Sequence, residues 1–541
     1  MMLFRKHTRL VYILIALLAV ASYISLFSVQ AQKNPLLMDE VDYFQSMENI
    51  NILGLPIYYA GEVHYDHNNL IHLGTRYING EKFDFYRFMP ETGILKETFF
   101  ALTDKSSRYT YGMWHPPLYI YLGSFWLRIF SLGPDNSWLL RYFNMIFSIG
   151  IFAGIILLSR IIYPNTHDLT AAIALLLYSL NSLAIRGSTL IDYNGTLSPF
   201  LAIWFFVFYL RSQKKRSFSF GLTVFSMLNF YASLGVASSL LISAFLYALI
   251  WGRHLKTWKT LSSVIFGIIL FIFSFWIFCR IEGLPFSQPF LHNFQRVKAH
   301  LDIFAIFERS VNVVRYGAMY TREIGYVVTL VACFLWLKLL LTRDTFHSPM
   351  CNSLPLTVII GFLLHSSLRA DAYGFPKYIL FVLPFLFLFI AGETVMTLNY
   401  ASSPFLLWRT IAILLLFLVV FSQIADSVRT YKTPGGTLYF MGEQGIIEIS
   451  QSLENATNPG EIVLARKDIG FFAGRRFYQI SDKLLNNIES LYRVINEYQI
   501  RCIASHRQLL DAAPTEVISY LQSQFSTRVE NGDFVLLCQP K

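Results

Sequence analysis

Charged residues are scarce in this chain. Only 14% of its 541 residues are Asp, Glu, Lys or Arg, whereas soluble domains carry about 25%. This scarcity excludes an ordinary soluble protein, and a hydrophobic content of 54% with a mean hydropathy of +0.46 points the same way. The apolar residues occur in blocks of about 20, the length that a helix needs to cross a bilayer. The sequence therefore predicts a polytopic α-helical membrane protein.

Cysteine motifs and internal repeats are also missing. The five cysteines form no CxxC pair, so no cysteine metal site or redox motif is indicated. Cys502 and Cys538 are candidates for a disulfide near the C-terminus, but we expect reduced, buried thiols. The net charge of +10 falls largely in short loops between apolar blocks. It therefore predicts membrane orientation and not nucleic-acid binding.

Eleven apolar blocks are predicted to span the membrane. Lys and Arg are retained on the cytoplasmic side, so the basic segments "RSQKKRS" (Arg211 to Ser217) and "GRHLKTWK" (Gly252 to Lys259) are placed there. The N-terminus is then inside and the C-terminus outside. The predicted spans are residues 9–29, 138–160, 169–187, 195–211, 217–232, 234–251, 260–281, 323–342, 354–369, 377–397 and 405–425.

Two apolar segments need a separate assignment. The first block has an A-x-A-like end and resembles a signal peptide, but its length favours a retained signal-anchor. The segment His115–Phe130 is shorter and contains Arg128, and short apolar runs are more often interfacial than spanning. We therefore expect it to lie against the outer face of the membrane.

The chain divides by composition into two parts. Residues 1–425 are predicted to form the transmembrane domain, with a large first outer loop at 30–114. Residues 426–541 alternate strand-like runs, such as "EIVLARKD" and "DFVLLCQ", with helix-like ones. This alternation predicts a small extracytoplasmic α/β domain.

Carboxylates and bases converge on the predicted outer side. Ionisable groups at the membrane edge are candidates for function. A carboxylate can remove a proton from a hydroxyl, and cations can stabilise a departing phosphate. The candidates are Asp39, Glu40, His64, Asp66, His67, His115, Asp192, Arg315, Arg322, Arg369 and Lys377.

The ordered motifs resemble a known enzyme family. "MDEVDYFQSMENINILGLPIYYAGEVHY" and "WHPPLYIYLGSFWLRIFSLGPDNSWLLRYFNMIFSIG" look like the polyprenyl-phosphate-sugar-dependent glycosyltransferases with the C-type fold, which include protein O-mannosyltransferases and the lipid A aminoarabinose transferase. The resemblance covers residues 11–425. The matching positions are the acidic pair Asp39–Glu40, the segment His115–Tyr119, Asp192, and the late pair Lys377–Tyr378.

The resemblance implies a reaction and roles for these residues. Asp39 is expected to be the general base, with Glu40 and Asp192 as further catalytic residues. His115, Arg315, Arg322, Arg369, Lys377 and Tyr378 are expected to bind substrate or its phosphate. The expected donor is a polyprenyl-phosphate sugar, and the acceptor is a hydroxyl of an extracytoplasmic glycan, lipid or protein. The basic residue that relatives often carry is missing from "MLNFYASLG" (Met227 to Gly235), so sugar and acceptor stay open.

Each candidate also has a structural interpretation. Asp39 and Glu40 suit a helix N-terminus, and Asp42 suits a solvated helix face. Asp192 precedes the turn signal Asn194-Gly195. Cationic side chains at a membrane edge often serve only as anchors. The group His64, Asp66 and His67 has ligand types that suit a divalent metal, but its spacing matches no standard motif and favours a polar loop.

Three functions compete at this point. The first is a membrane hexosyl- or pentosyltransferase of the cell envelope, located in a bacterial inner (plasma) membrane with its active site outside. The second is a transporter or flippase for a lipid-linked anionic glycan, which is expected to show repeats and ionisable groups near mid-membrane. The third is a non-catalytic assembly protein, which leaves the acids after the first span unexplained.

The orientation of His115–Phe130 can be tested by labelling. A cysteine placed at Gly133 should react with an impermeant maleimide added to intact cells. Labelling that requires permeabilisation would show that the segment crosses the bilayer.

Overall fold

Helices dominate the structure, a computed structural model that describes residues 2–33, 39–53, 57–59, 63–64, 84–88, 97–101, 108–111, 116–132, 134–251, 258–281, 320–342, 357–362, 376–399, 406–432 and 445–540, together with residues 36, 286, 290, 318 and 354. The first helices are α1 (Met2–Lys33), α2 (Asp39–Leu53), α3 (Leu118–Phe130), α4 (Arg141–Ile162), α5 (His167–Leu180), α6 (Ser182–Thr189), α7 (Leu197–Lys215), α8 (Phe220–Ala232), α9 (Leu234–Trp251) and α10 (Trp258–Ile281). They are followed by α11 (Tyr326–Thr342), α12 (Leu383–Asn399) and α13 (Leu406–Lys432). Short 3-10 helices precede α4 (Pro134–Leu140) and α12 (Pro376–Val382).

The strands form two sheets. Strands β1 (Ile57–Tyr59), β3 (Asp84–Phe88), β4 (Glu97–Ala101) and β5 (Arg108–Tyr111) form an antiparallel sheet of order β1-β5-β4-β3. The second sheet has the order β2-β7-β6-β8-β10-β9 and contains β2 (Val63–His64), β6 (Ile462–Ala465), β7 (Arg476–Gln479), β8 (Cys502–His506), β9 (Thr527–Asn531) and β10 (Phe534–Cys538). Its helices are α14 (Ile446–Ala456), α15 (Lys467–Phe472), α16 (Asp482–Leu485), α17 (Ile488–Glu497), α18 (Arg507–Asp511) and α19 (Thr515–Gln524).

Several helices are long and apolar enough to cross a membrane, as an integral membrane protein requires. In the described ranges five segments meet both conditions, or six if the bent pair α5–α6 is counted as one span. The number of eleven spans stays a prediction. The five segments are Leu10–Gln32, Trp138–Ile162, Trp258–Arg280, Lys377–Asn399 and Arg409–Arg429.

The predicted span 169–187 is not one continuous helix, and its crossing of the membrane stays a prediction. The helix breaks at Asn181, where α5 and α6 meet at an angle of 67°. The backbone of Asn181 is extended, and its side-chain oxygen accepts a hydrogen bond from the N–H of Ala184 at 2.9 Å, which starts the new helix α6. The amide of Asn181 also donates to Gln423 Oε1 at 2.8 Å. This buried network fixes the bend that leads the chain toward Asp192.

The short helix α3 packs against α2 on one face and is exposed on the other. Its 13 residues extend about 20 Å, less than the roughly 30 Å of a bilayer core. Gly123 lets α3 approach α2 closely, because a Cβ there would lie 2.4 Å from Met47. On the other face Phe125 is exposed. A helix of this length cannot cross the bilayer alone, and the interfacial position of His115–Phe130 stays a prediction.

The centre of the bundle is α12. Nearly all of its residues are buried, from Leu383 to Thr397. It packs against α5 and α13, and α1 also packs against α5. The hydroxyl of Tyr23 on α1 donates to Ser148 on α4 at 2.8 Å, so polar contacts also join the helices. The 3-10 helix directly before α12 is therefore held by the best-packed part of the molecule.

The C-terminal sheet has helices on both faces. Alternate strand residues point to opposite sides, so Ala504 packs with the side of α14 and α15, and Ile503 packs with α17 and α19. Strand β2 of the first outer loop extends this sheet by pairing antiparallel with β7. The division of the chain at residue 426 into two domains stays a prediction.

The expectation that Cys502 and Cys538 are reduced is wrong. They are directly opposite each other on the antiparallel strands β8 and β10 and form a disulfide. This pairing cannot be read from the sequence, because it depends on the register of two strands separated by 36 residues.

Removing this disulfide should destabilise the C-terminal sheet. Closing a loop of this length contributes on the order of 2–4 kcal/mol. The double variant Cys502→Ala/Cys538→Ala should therefore melt at a lower temperature in detergent. A Cys333→Ala variant is the control, since Cys333 is unpaired and exposed. An unchanged melting curve, or alkylation of Cys502 without reductant in the wild type, would contradict the assignment.

Candidate active site

The two neighbouring acids at the start of α2 lie in different environments. The side chain of Asp39 is 52% exposed, whereas that of Glu40 is 1% exposed. Successive helical residues point about 100° apart, so one acid is exposed at the surface and the other faces the bundle. The sequence alone does not show which of the two acids is exposed and which is buried.

Glu40 makes a buried structural ion pair. Its Oε2 lies 3.2 Å from a guanidinium nitrogen of Arg141, and its Oε1 accepts a hydrogen bond from the N–H of Ile191 at 2.7 Å. Arg141 also donates to the carbonyl of Thr189 at 2.8 Å. Both carboxylate oxygens of Glu40 are therefore engaged in joining α2 to α4 and to the segment before Asp192.

Asp192 is placed by a tight turn between α6 and α7. Its Oδ1 accepts hydrogen bonds from the backbone N–H of Asn194 at 2.8 Å and from the Asn194 side chain at 3.0 Å. Gly195 is required here, since a Cβ would lie 2.6 Å from the carbonyl oxygen of Gly187 and 2.8 Å from that of Leu190. The turn leaves Oδ2 of Asp192 directed at a different partner.

That partner is Lys377, at the start of the 3-10 helix before α12. Its ammonium lies 2.9 Å from Asp192 Oδ2 and 2.8 Å from Asp39 Oδ2, and its side chain is 4% exposed. The nitrogen is also 5.7 Å from the ring centre of Tyr378. Residues far apart in the chain, and predicted as separate candidates, thus meet around one ammonium group.

The charge of this site favours an ionised Asp39. Partial burial opposes ionisation, but the ammonium of Lys377 and, further off, that of Lys467 outweigh it and hold the pKa of Asp39 below its ordinary value. Lys377, Asp39 and Asp192 together are one cation and two carboxylates. The ammonium keeps the two carboxylates from repelling each other.

Sequence reasoning missed the polar residues that support the site from α4. Arg141 and Asn144 are one turn apart, so they lie on the same face. Asn144 donates to the carbonyl of Leu190 at 2.7 Å and accepts from the hydroxyl of Tyr119 at 3.0 Å. The signal in the sequence is a polar pair, "RYFN", at the start of an apolar run.

The expectation that Asp42 lies on a solvated helix face is wrong. Its Oδ2 accepts a hydrogen bond from the ammonium of Lys467 at 2.7 Å, and its side chain is only 23% exposed. Lys467 belongs to α15 of the C-terminal part. No local pattern in the sequence relates positions 42 and 467.

The other predicted site residues are not gathered around Lys377 in the described ranges. Arg322 is 60% exposed and lies 2.9 Å from Glu323, which also pairs with Arg186 at 3.0 Å. His64 lies in β2. The remaining candidates, namely His115, Arg315, Arg369, Asp66 and His67, lie outside the described residues, and their roles stay predictions.

The group His64, Asp66 and His67 stays only a sequence candidate for a divalent metal, because Asp66 and His67 lie outside the described residues. Within the part of the chain that the structure describes, no group of three or more His, Cys, Asp or Glu side chains could hold a metal ion. Between Asp39 and Asp192, where a cation is expected electrostatically, the ammonium of Lys377 is found.

Solved structures of similar shape identify the fold. No protein-family model and no curated protein matches the sequence significantly. Two crystal structures do match in shape: ArnT from Cupriavidus metallidurans bound to undecaprenyl phosphate, and the same protein in the apo state. Each matches this protein with a TM-score of 0.50 and 12% sequence identity. The matched region covers 97% of this chain and 99% of the ArnT chain. This chain has the ArnT fold. The resemblance to C-type-fold glycosyltransferases is thereby confirmed for the fold.

The two acids should respond differently to neutralisation. Glu40→Gln should destabilise the protein by about 3 kcal/mol, because it removes the charged partner of the buried Arg141. Asp39→Asn, at an exposed side chain, should change stability far less. Thermal unfolding of both variants in the same detergent checks this. Equal melting temperatures for Glu40→Gln and the wild type would contradict a structural role for Glu40.

Proposed function

We propose that this protein is a membrane glycosyltransferase that transfers a sugar from a polyprenyl-phosphate donor to a hydroxyl group outside the cytoplasm. The observation that carries the proposal is the Lys377 ammonium between Asp39 and Asp192, since it combines a reachable carboxylate with a cation for a phosphate. The ArnT fold supports the donor class, because ArnT is seen bound to undecaprenyl phosphate.

Asp39 is the better general base of the acidic pair. Its side chain is half exposed and can reach an acceptor hydroxyl, whereas Glu40 is buried with both oxygens occupied. In the proposed step Asp39 takes the hydroxyl proton as the oxygen attacks the anomeric carbon. The bond from that carbon to the phosphate oxygen breaks, and polyprenyl phosphate leaves with the electron pair.

Lys377 links donor binding to the strength of the base. An ammonium at 2.8 Å lowers the basicity of Asp39. A donor phosphate would compete with the two carboxylates for the same ammonium, because charge-assisted hydrogen bonds to phosphate are strong. Movement of Lys377 toward the phosphate would therefore make Asp39 more basic when the donor is bound. Lys377 would then stabilise the negative charge of the leaving group.

The disulfide supports an extracytoplasmic site. Disulfides persist in oxidising compartments and are rare in the cytosol. The Cys502–Cys538 bond lies in the same C-terminal part as Lys467, which contacts α2 beside Asp39. These two observations support a site that lies with the C-terminal sheet on the outer face, which is also the orientation that the basic loops predict. A bacterial inner membrane is the proposed location.

One observation favours transport as a second candidate. Lys338 on α11 donates to Thr397 at 2.6 Å and lies 3.9 Å from Glu393, and all three are buried between α11 and α12. Buried ionisable groups and a broken helix such as α5–α6 are features of transporters. Purified protein in vesicles separates the candidates, because only a transferase makes a new glycosidic bond.

Replacing the proposed base should abolish transfer. In cells that lack the gene, the wild type should restore a missing sugar of the envelope glycans, detected by mass spectrometry. Asp39→Asn should not, since loss of a general base costs about 10²–10⁴ in rate.

The matched control is Asp168→Asn at the start of α5, an acid that pairs with His167 and lies in a helix that carries none of Asp39, Asp192 and Lys377. It should restore the sugar fully at equal membrane abundance. Full restoration by Asp39→Asn would overturn the base assignment, and unchanged glycans in the deletion strain would count against the proposed function itself.

A further inference from the structure

The carboxyl ends of the parallel strands in the C-terminal sheet are directed at the candidate active site. Strand β6 is parallel to both of its neighbours, β7 and β8. The chain continues from β6 to β7 on one side and later crosses to β8 on the other. Such a reversal is the place where open α/β sheets bind ligands, at the carboxyl ends of the strands. Lys467 lies two residues beyond the end of β6.

Helix α15 joins this end of the sheet to α2. The ring of Phe471 packs edge-on against Phe44, with ring centres 6.0 Å apart. At the other end of α15, Lys467 donates to Asp42 at 2.7 Å. Asp42 is three residues after Asp39, so both acids lie on the same face of α2. The lysine of the C-terminal part therefore binds the helical face that carries the proposed base.

The position of Lys467 is fixed by its neighbours in sequence. Arg466 Nε donates to Asp468 Oδ1 at 2.6 Å, and the Arg466 guanidinium lies 4.8 Å from the ring centre of Phe534 on β10. Asp468 is fully buried. The residues on both sides of Lys467 are thus anchored to the sheet, and its own side chain, only 14% exposed, has little freedom.

The charged groups around Asp39 come from four elements. They are Lys377 from the 3-10 helix, Asp192 from the α6–α7 turn, Lys467 from α15, and Asp42 from α2 itself. Burial works against a charged Lys467, but the carboxylates of Asp42, Asp39 and Asp468 outweigh it and raise the pKa of this lysine. Lys467 is therefore a permanent cation near Asp39 at physiological pH.

We propose that Lys467 is a positioning residue of the active site, through which the C-terminal sheet holds α2 and places a second cation beside the helical face that carries Asp39. Its effect on transfer rests on the proposed function, but its effect on the Asp39 carboxyl can be measured without any substrate.

The test is the pH dependence of carbodiimide labelling of Asp39 in the full-length protein, quantified by peptide mass spectrometry. Carbodiimide reacts with the protonated carboxyl, and Asp39 is exposed enough to react. In Lys467→Met one cation is removed, so the protonated form persists to higher pH. The labelling midpoint should rise by about half a unit to one unit. Lys467→Arg keeps the charge and should retain the wild-type midpoint.

The matched control is Arg501→Gln. Arg501 pairs with Glu461 at 3.3 Å, and both lie at the amino ends of β8 and β6, the opposite edge of the same sheet. This variant loses an ion pair of the C-terminal part without touching α2, and its midpoint should equal that of the wild type. An unshifted midpoint in Lys467→Met, or an equal shift in Arg501→Gln, would overturn the proposal.

The rate of sugar transfer can be measured as a second readout once the donor is known. Below the Asp39 midpoint the rate of Lys467→Met should fall about 3- to 10-fold, as the shift in midpoint implies, and it should recover as pH rises. A purely structural defect would lower the rate at every pH and count against the proposal. A wild type that transfers no sugar would sink the proposed function, while the labelling result would still decide the role of Lys467.

Discussion

The ammonium of Lys377 is the contact on which the arrangement of the site depends. It joins helix α2, through Asp39, to the α6–α7 turn, through Asp192. The central helix α12, which is buried along almost its whole length, sets the position of the lysine. Without this cation two carboxylates would face each other at close range, a repulsion that only protonation of one of them would relieve. The geometry of the site therefore depends on the packing at the centre of the bundle.

Burial gives two neighbouring carboxylates different roles in the structure. Asp39 and Glu40 have nearly the same chemistry, but the helix rotates by about 100° per residue, which directs one to the surface and the other into the bundle. Once buried, Glu40 needs charge and hydrogen-bond partners, which Arg141 and Ile191 supply. The buried acid fixes the helix, and this fixed helix in turn holds the other acid in its exposed position beside Lys377.

The sequence predicted the residues that form the site better than those that support it. Asp39, Asp192 and Lys377 were expected from their place at the membrane edge and from the family resemblance, and the structure brings these three together. Arg141 and the bend at Asn181 were not expected, because a buried polar residue is recognisable only from partners that are distant in sequence. The disulfide was not expected either, because it depends on the register of two strands, and register is likewise a property of the folded chain.

The charge of the described site indicates what a phosphate donor still requires. Three cations, Lys377, Arg141 and Lys467, face four carboxylates, those of Asp39, Glu40, Asp42 and Asp192. A donor phosphate brings further negative charge into an environment where unbalanced charge is costly. Lys377 alone cannot balance both the carboxylates and the phosphate. Under the proposed function further cations are therefore required, and Arg315 and Arg369 are the candidates by sequence. Donor binding is then expected to depend on those arginines as well as on Lys377.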